Sequence, residues 1–254
     1  CSLKSNIPIS HVESGLRSND WRMPEEHNRI VVDHLSELLF APTKITKSNL
    51  QCEKVHGKIF VTGNTVIDAI NIYSKISRKK SKLSITSSDF ILFTLHRSEN
   101  VDNKKILSSI IKGVINSNEN IIFPIHPRTK KRLHEFGLYN KLFQNKNIKI
   151  LDSVGYFEIL ELMKNCIFIV TDSGGIQEEA TSPVIRKKVL VVRKTTDRPE
   201  AVESKMAEIV GLDEKNISNS IKKTMKSPKL QSKKTPYGKG DASEKILKIL
   251  QNNF

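Results

Sequence analysis

Nothing in this sequence approaches 18 consecutive apolar residues, so no membrane-spanning helix is expected. The opening, CSLKSNIPIS, has neither an initiator Met nor the charged-then-apolar layout of a signal peptide. A chain that opens on Cys1 and runs almost at once into a strand-like stretch reads as cut. Cysteine is scarce: Cys1, Cys52 and Cys166 are odd in number, far apart, and fit no metal-ligand spacing. No metal site is expected, and a reducing cytosol, hence a cytoplasmic protein, is the simplest setting. The dinucleotide pattern GxGxxG and the P-loop ending Gly-Lys-Ser/Thr are both missing, so neither a nicotinamide cofactor nor ATPase activity is expected. No repeat of 20 to 50 residues is visible. Aromatic residues make up only 6%, with one Trp. They are missing from the lysine-rich stretch 77–82 and reduced to Tyr237 in the other, 221–239, and in both Lys alternates with Ser or Thr. The net charge of +15 therefore reads as a solvated surface and as steering of an anionic substrate, not as a nucleic-acid interface.

The 254 residues are enough for one large or two smaller domains, with 37% apolar and 27% charged residues, as in an ordinary globular protein. Short β-branched runs occur at 7–12, 58–62, 90–95, 121–125, 148–151, 167–171, 189–192 and 207–210. Helix-like segments lie between most of them, at 25–38, 65–77, 103–115, 156–165 and 217–225. This rhythm predicts an α/β fold with parallel sheets covered on both faces. The stretch 77–88, rich in Lys and Ser, marks a boundary. It divides a partial N-terminal Rossmann-like domain, residues 1–80, from a fuller one at 81–240. A helix within 241–254, with Ile246, Leu247, Ile249 and Leu250 as its apolar stripe, is expected to pack back on the N-terminal domain. Before the boundary there are only about two strand–helix units, too few to close a sheet.

Five constellations can carry chemistry. His11-Val12-Glu13-Ser14-Gly15-Leu16-Arg17 leaves a strand at its carboxyl end, where parallel sheets place ligands. Glu13 there can face a cleft and Arg17 can meet an anion, or the segment is a strand-end turn with a surface ion pair. In Pro24-Glu25-Glu26-His27-Asn28-Arg29, two carboxylates open a helix. They either complement its dipole or add to Glu13 a second carboxylate for moving protons at neighbouring carbons. His96 and Arg97 follow one buried strand, and His126 follows the next, again beside an arginine. Structural and phosphate-binding roles are both open for them. Finally, in Thr171-Asp172-Ser173-Gly174-Gly175-Ile176-Gln177-Glu178-Glu179, a strand ends, Ser173, Gly174 and Gly175 turn, and a helix starts. Its free amides suit a diphosphate, and Glu179, about one turn later, is placed to accept from ribose hydroxyls.

HVESGLRS, MPEEHNR, LFAPT, VTGNTVIDA, HRSEN, IHPR, TDSGGIQEEA and RKTTDRPEAVE occur here in order, between residues 7 and 211. In these motifs the chain resembles the non-hydrolysing UDP-N-acetylglucosamine 2-epimerases. The resemblance implies two Rossmann-like doubly wound domains of the GT-B type, the N-terminal one incomplete, with the sugar nucleotide in the cleft between them. It also implies no cofactor, UDP-N-acetylglucosamine or UDP as ligand, and a homodimer for the full-length protein. The reaction it implies is reversible epimerisation at C2, giving UDP-N-acetylmannosamine through elimination and re-addition of UDP, for surface polysaccharide or glycan precursors. Residue by residue, Glu13, Glu25 and His96 match catalytic positions. His96, Ser173, Gly174, Gly175 and Glu179 match UDP-binding ones, and Glu26, Arg97 and His126 match an activator site.

The sequence departs from the family pattern in four places. A Gly-rich phosphate loop and a catalytic Asp in a Gly-Asp-Thr motif are not found, so roughly 100 further residues are expected upstream and activity of this chain alone is in question. Lys205 stands where Gly is common, and the connection 181–188 is longer than usual. A GT-B glycosyltransferase and a non-catalytic UDP-sugar-binding domain are the alternatives. The paired motifs HVESGLRS and PEEHNR favour the epimerase.

Overall fold

The computed structural model describes residues 2–21, 23–85, 87–230, 232 and 234–253. Cys1, one of the three cysteines, lies outside them; Cys52 is exposed, Cys166 is buried, and both are free thiols. The chain divides into two compact units, one of residues 1–72 with 235–254, the other of residues 73–234. Among the described residues no helix is long and apolar enough to cross a membrane.

In the first unit the order is β1 (Ser10–Val12), α1 (Pro24–Leu35), β2 (Leu38–Ala41), α2 (Lys44–Cys52), β3 (Lys58–Val61), the start of α3 (Thr65–Lys80) and, from the chain end, α12 (Ala242–Asn253). The strands form a parallel sheet in the order β1-β2-β3, with Leu39 opposite His11 and Ile59. β2 is buried along its whole length because a helix covers each face. Leu38 and Phe40 pack against Ile246, Ile249 and Leu250 of α12, while Leu39 and Ala41 pack against Leu50 of α2. The Asp68 carboxylate accepts from the amides of Ala242 and Ser243 at 3.2 and 2.8 Å, satisfying the free N-terminus of α12. α2 begins on a capping box in which Thr43 and Thr46 exchange side-chain and backbone hydrogen bonds.

The segment 25–38, expected to be one helix, ends earlier. α1 stops at Leu35, Ser36 turns extended with its hydroxyl bonded back to the Val32 carbonyl, and the next residues become β2. The apolar run LLFA has no alternation, so period alone could not separate a doubly buried strand from a continuing helix.

The second unit holds β4 (Ile91–Thr94), α4 (Ser98–Val101), α5 (Lys104–Ser117), β5 (Ile121–Pro124), α6 (Pro127–Glu135), α7 (Tyr139–Phe143), β6 (Ile148–Leu151), α8 (Tyr156–Asn165), β7 (Ile169–Thr171), α9 (Gly174–Ala180), β8 (Val189–Val191), α10 (Pro199–Glu203), β9 (Ala207–Ile209) and α11 (Glu214–Lys226). All six strands are parallel, in the order β6-β5-β4-β7-β8-β9. The chain winds outward from β4 through β5 to β6, then returns to the other side of β4 and winds outward again. That is the doubly wound arrangement, and its switch point lies between β4 and β7. β4, β7 and β8 are buried throughout, and Ile91, Phe93, Phe123, Phe168 and Val170 anchor the core with Leu107, Ile110 and Ile217 of the flanking helices. α5 illustrates how such a helix is bounded. The Asn103 side chain caps its start by accepting from the amides of Lys105 and Ile106, and Asn118, with φ of 58°, ends it in the left-handed region.

Candidate functional site

Ligands of doubly wound sheets bind at the carboxyl ends of the strands, where the winding reverses. In the second unit that point carries His96 and Arg97 after β4 and Asp172 to Gly175 after β7. Asp172 ties the two together. It is fully buried, and its carboxylate accepts from the backbone amides of His96 (3.1 and 3.2 Å) and Arg97 (2.8 Å) and from the Asn100 side chain (3.1 Å). Burial pushes its carboxyl pKa up, against the pull of His96 and of these donors. The His96 ring stays partly open to solvent, with Nε2 3.9 Å from Asp172. Burial is the largest influence on it and lowers its pKa. Asp172 opposes this, while Arg97 and His126 add to it, so the imidazole is neutral at pH 7. His126, the cap residue of α6, brings its ring to 5.8 Å from that of His96, so the two strand-end histidines share one edge.

The Ser-Gly-Gly turn starts α9 as its residues predict. Ser173 is the N-cap, and its hydroxyl accepts from the Ile176 amide at 3.4 Å. Gly174 is buried; a Cβ there would lie 3.3 Å from Asp197 and 3.4 Å from Arg97. Asp197 is buried among Arg193 at 2.8 Å, Arg198 at 3.1 Å and Arg97 at 3.7 Å. Burial raises its pKa, but these three guanidiniums outweigh that and hold it below the usual carboxylate range. Glu178 is likewise buried and pairs with Arg198 at 2.6 Å. Glu179 differs from both. It is partly buried, no cation faces it among the described residues, and desolvation alone raises its pKa to about 7. An unpartnered, half-desolvated carboxylate one turn from a helix start is suited to accept from the hydroxyls of a ligand. Tyr156 lies close enough for its phenol to be pushed up to about 12, by burial first and by Glu179 second.

In the first unit the site is built around a strained residue. Glu13 follows β1 with φ of 69°, in the left-handed region where residues other than Gly, Asn and Asp are uncommon. Asp33, fully buried on α1, braces the residues on either side of Glu13. Its carboxylate meets His11 Nδ1 at 2.6 Å, accepts from the Gly15 amide at 3.1 Å, and pairs with Arg17 at 2.8 Å. Arg17 also forks onto both oxygens of Glu53 at 2.6 Å. Arg17 is therefore committed to two carboxylates; of the two roles its strand-end position left open, ion pair and anion ligand, it takes the ion pair. Gly15 has φ of 80°, and a Cβ on it would lie 2.3 Å from the Thr46 carbonyl oxygen, so only glycine fits. Glu13 Oε1 accepts from Asn64 Nδ2 at 3.1 Å.

The adjacent carboxylates of MPEEHNR separate. Glu25 is exposed in the first turn of α1 with no hydrogen-bond partner among the described residues. Glu26 is buried and accepts from the amides of Ser18 and Asn19 at 3.0 and 2.9 Å and from the Ser18 hydroxyl at 2.9 Å. It closes the loop between β1 and α1. The partners Asp33, Glu53, Asn64, Asp172 and Asp197 do not stand out in the sequence as site residues. Four of them lie 18 to 76 residues from the groups they hold, and a motif match says nothing of such pairings. Among the described residues no group of three or more His, Cys, Asp or Glu is arranged to hold a metal ion.

Comparison with known proteins adds to this geometry. Residues 1–251 match the family model described as UDP-N-acetylglucosamine 2-epimerase. A UDP-N-acetylglucosamine 2-epimerase from Methanocaldococcus jannaschii is 45% identical over 258 residues, covering 97% of this chain and 69% of that protein. The crystal structure of the M. jannaschii UDP-GlcNAc 2-epimerase in complex with UDP-GlcNAc and UDP has a TM-score of 0.89 at 44% identity, covering 99% of this chain and 71% of that one. For the Neisseria meningitidis UDP-GlcNAc 2-epimerase bound to UDP-GlcNAc the TM-score is 0.87 at 33% identity, with 99% and 71% covered.

Proposed function

This chain belongs to the UDP-N-acetylglucosamine 2-epimerase family, and we propose that its residues serve the reversible conversion of UDP-N-acetylglucosamine to UDP-N-acetylmannosamine. Inversion at C2 is difficult because the C2 proton is weakly acidic. Elimination offers a path: a base takes the C2 proton, the C1–O bond breaks, UDP leaves with that electron pair, and a C1=C2 double bond remains in 2-acetamidoglucal. Re-addition of UDP at C1 with protonation of C2 from the other face then gives the epimer. The path needs a cradle for the departing diphosphate and carboxylates that move protons at C2.

In this reading the amides at the start of α9, with Ser173, Gly174 and Gly175, hold the diphosphate where negative charge develops as the C1–O bond breaks. Glu179 accepts from the ribose hydroxyls. Neutral His96 donates a ring N–H to the phosphate side, at no cost in proton loss near pH 7. Glu13 and Glu25 act on opposite stages of proton transfer. Glu26 holds the loop between β1 and α1, and Arg97 and His126 line the phosphate edge.

The observation that carries this reading is the cost of placing Glu13. A buried aspartate, an arginine shared between two carboxylates and an obligatory glycine all converge on one loop, and the residue they hold in a strained conformation is an acidic side chain. Strain of this kind supports a positioned reacting group. Proton NMR of the protein with UDP-N-acetylglucosamine tests the activity. UDP-N-acetylmannosamine should accumulate to a constant ratio, with traces of 2-acetamidoglucal. Steady release of free N-acetylmannosamine would instead indicate the hydrolysing reaction, and no change in the sugar would reject epimerisation.

A further inference from the structure

The amino ends of β8 and β9 lie at the opposite edge of the sheet from Ser173 and His96, and they carry a second charged site. A cavity of about 570 Å³ opens there, lined by Lys188, Lys205, Lys223, Lys229 and Lys234, with Glu203 the one acidic residue among the described lining residues. Lys188 is already engaged, 3.0 Å from Glu208 and 3.4 Å from the Thr224 hydroxyl. The other four lysines have no ion-pair partner among the described residues. Four unpaired ammonium groups around one concavity repel one another, and a bound polyanion relieves that repulsion.

The backbone around the cavity points the same way. The turns that lead into β8 and β9 contain Arg186 and Lys205, with φ of 47° and 60°. Glycine would adopt both conformations at lower cost, yet each position carries a cation. Arg186 donates to the Ser232 carbonyl at 2.5 Å and so fastens the rim of the cavity to the body of the unit. Lys205 is exposed on the lining itself.

We propose that this cavity binds a short polyphosphate, such as the phosphate chain of a small metabolite, independently of the UDP site. Its size lies within the range of small-ligand pockets, and it is concave where a nucleic-acid groove would be extended. Among the described residues no aromatic side chain lines it to stack a base, so the recognition falls on phosphate groups.

The test is calorimetric titration of the full chain with sodium tripolyphosphate at low salt, with and without saturating UDP. About one equivalent should bind in both conditions, with affinity falling steeply as NaCl is raised. The double variant Lys205→Gly/Lys223→Ala removes two cations and relieves the strained turn, so it keeps the fold. It should weaken tripolyphosphate at least tenfold and leave UDP affinity unchanged. The control Lys104→Ala/Lys105→Ala, on exposed residues of α5, should change neither. Loss of tripolyphosphate binding when UDP is present would place it at the UDP site and overturn the proposal. So would equal weakening in the control, or tighter binding of a single-stranded RNA dodecamer than of tripolyphosphate. Failure of UDP to bind would count against the proposed function alone, since the titration without UDP still decides this site.

Discussion

Replacing Glu179 by Gln should make the unliganded protein more stable while weakening its hold on UDP. The carboxylate is half-desolvated, has no cation beside it, and titrates at about 7 instead of its ordinary 4.5. A raised carboxyl pKa is a cost borne by the ionised native state. Above about pH 7 Glu179 is ionised both folded and unfolded, and the full penalty is present. Below 4.5 it is protonated in both, and the penalty is gone. A tenfold weaker acid corresponds to roughly 1.4 kcal/mol, so the ceiling here is about 3 kcal/mol, and partial contact with solvent reduces this to about 1–2 kcal/mol. Glutamine keeps the shape and one acceptor but carries no charge to desolvate. Thermal unfolding at pH 8 without ligand should therefore rise by about 3–6 °C in the variant. The gain should shrink steadily as pH falls and vanish near pH 4.5. Calorimetry at pH 8 should show UDP bound roughly tenfold more weakly, because two ribose hydroxyls lose a charged acceptor. A variant no more stable than the parent at pH 8, or one more stable by the same amount at every pH, would refute the view of Glu179 as a desolvated, unpartnered anion. Unchanged UDP affinity would refute its ribose role.

Two further outcomes follow from the loop after β1. Asp33→Asn removes the charge that Arg17 and His11 face and weakens the anchor of the Gly15 amide, so Glu13 should leave its left-handed conformation. Turnover should fall more than tenfold with UDP affinity unchanged, at a stability cost of about 2–4 kcal/mol by denaturant titration; a parallel loss of UDP binding would mean the whole protein has unfolded instead. Gly15→Ala places a Cβ 2.3 Å from the Thr46 carbonyl in a backbone region hostile to L-residues. A loss of about 3 kcal/mol or more in urea unfolding is expected, and a loss below 1 kcal/mol would show that the loop relaxes freely.

Both parallel sheets were legible in the sequence, apart from β2, because apolar β-branched runs separated by helical spacing leave few other architectures. β2 was not, since Leu38 to Ala41 extend the apolar pattern of α1, and the Ser36-Glu37 pair between them reads equally well as the polar face of a continuing helix. α2 was missed for a local reason: its capping box uses Thr46 where the familiar signature has Glu or Gln. At the candidate site, motifs located the groups but not their states. Glu25 and Glu26 are neighbours in sequence, yet a helix turns successive side chains about 100° apart, leaving one in solvent and the other buried in a loop. The same limit applies to Glu178 and Glu179, of which only the first meets an arginine. For Arg17 the sequence left an anion contact and an ion pair both open, because its carboxylate partners Asp33 and Glu53 come from elements far along the chain, a pairing that only the tertiary fold reveals.

The central claim is that Glu13 and Glu25 move the C2 proton. Incubation with UDP-N-acetylglucosamine in deuterium oxide reads this directly, as solvent deuterium entering C2, for the parent protein and for Glu13→Gln and Glu25→Gln. Removing a positioned base typically costs about 10²–10⁴-fold. A loss of that order is expected in each variant, with UDP still bound through Ser173 to Glu179. Near-parental deuterium incorporation in both variants, or exchange lost only together with UDP binding, would contradict it.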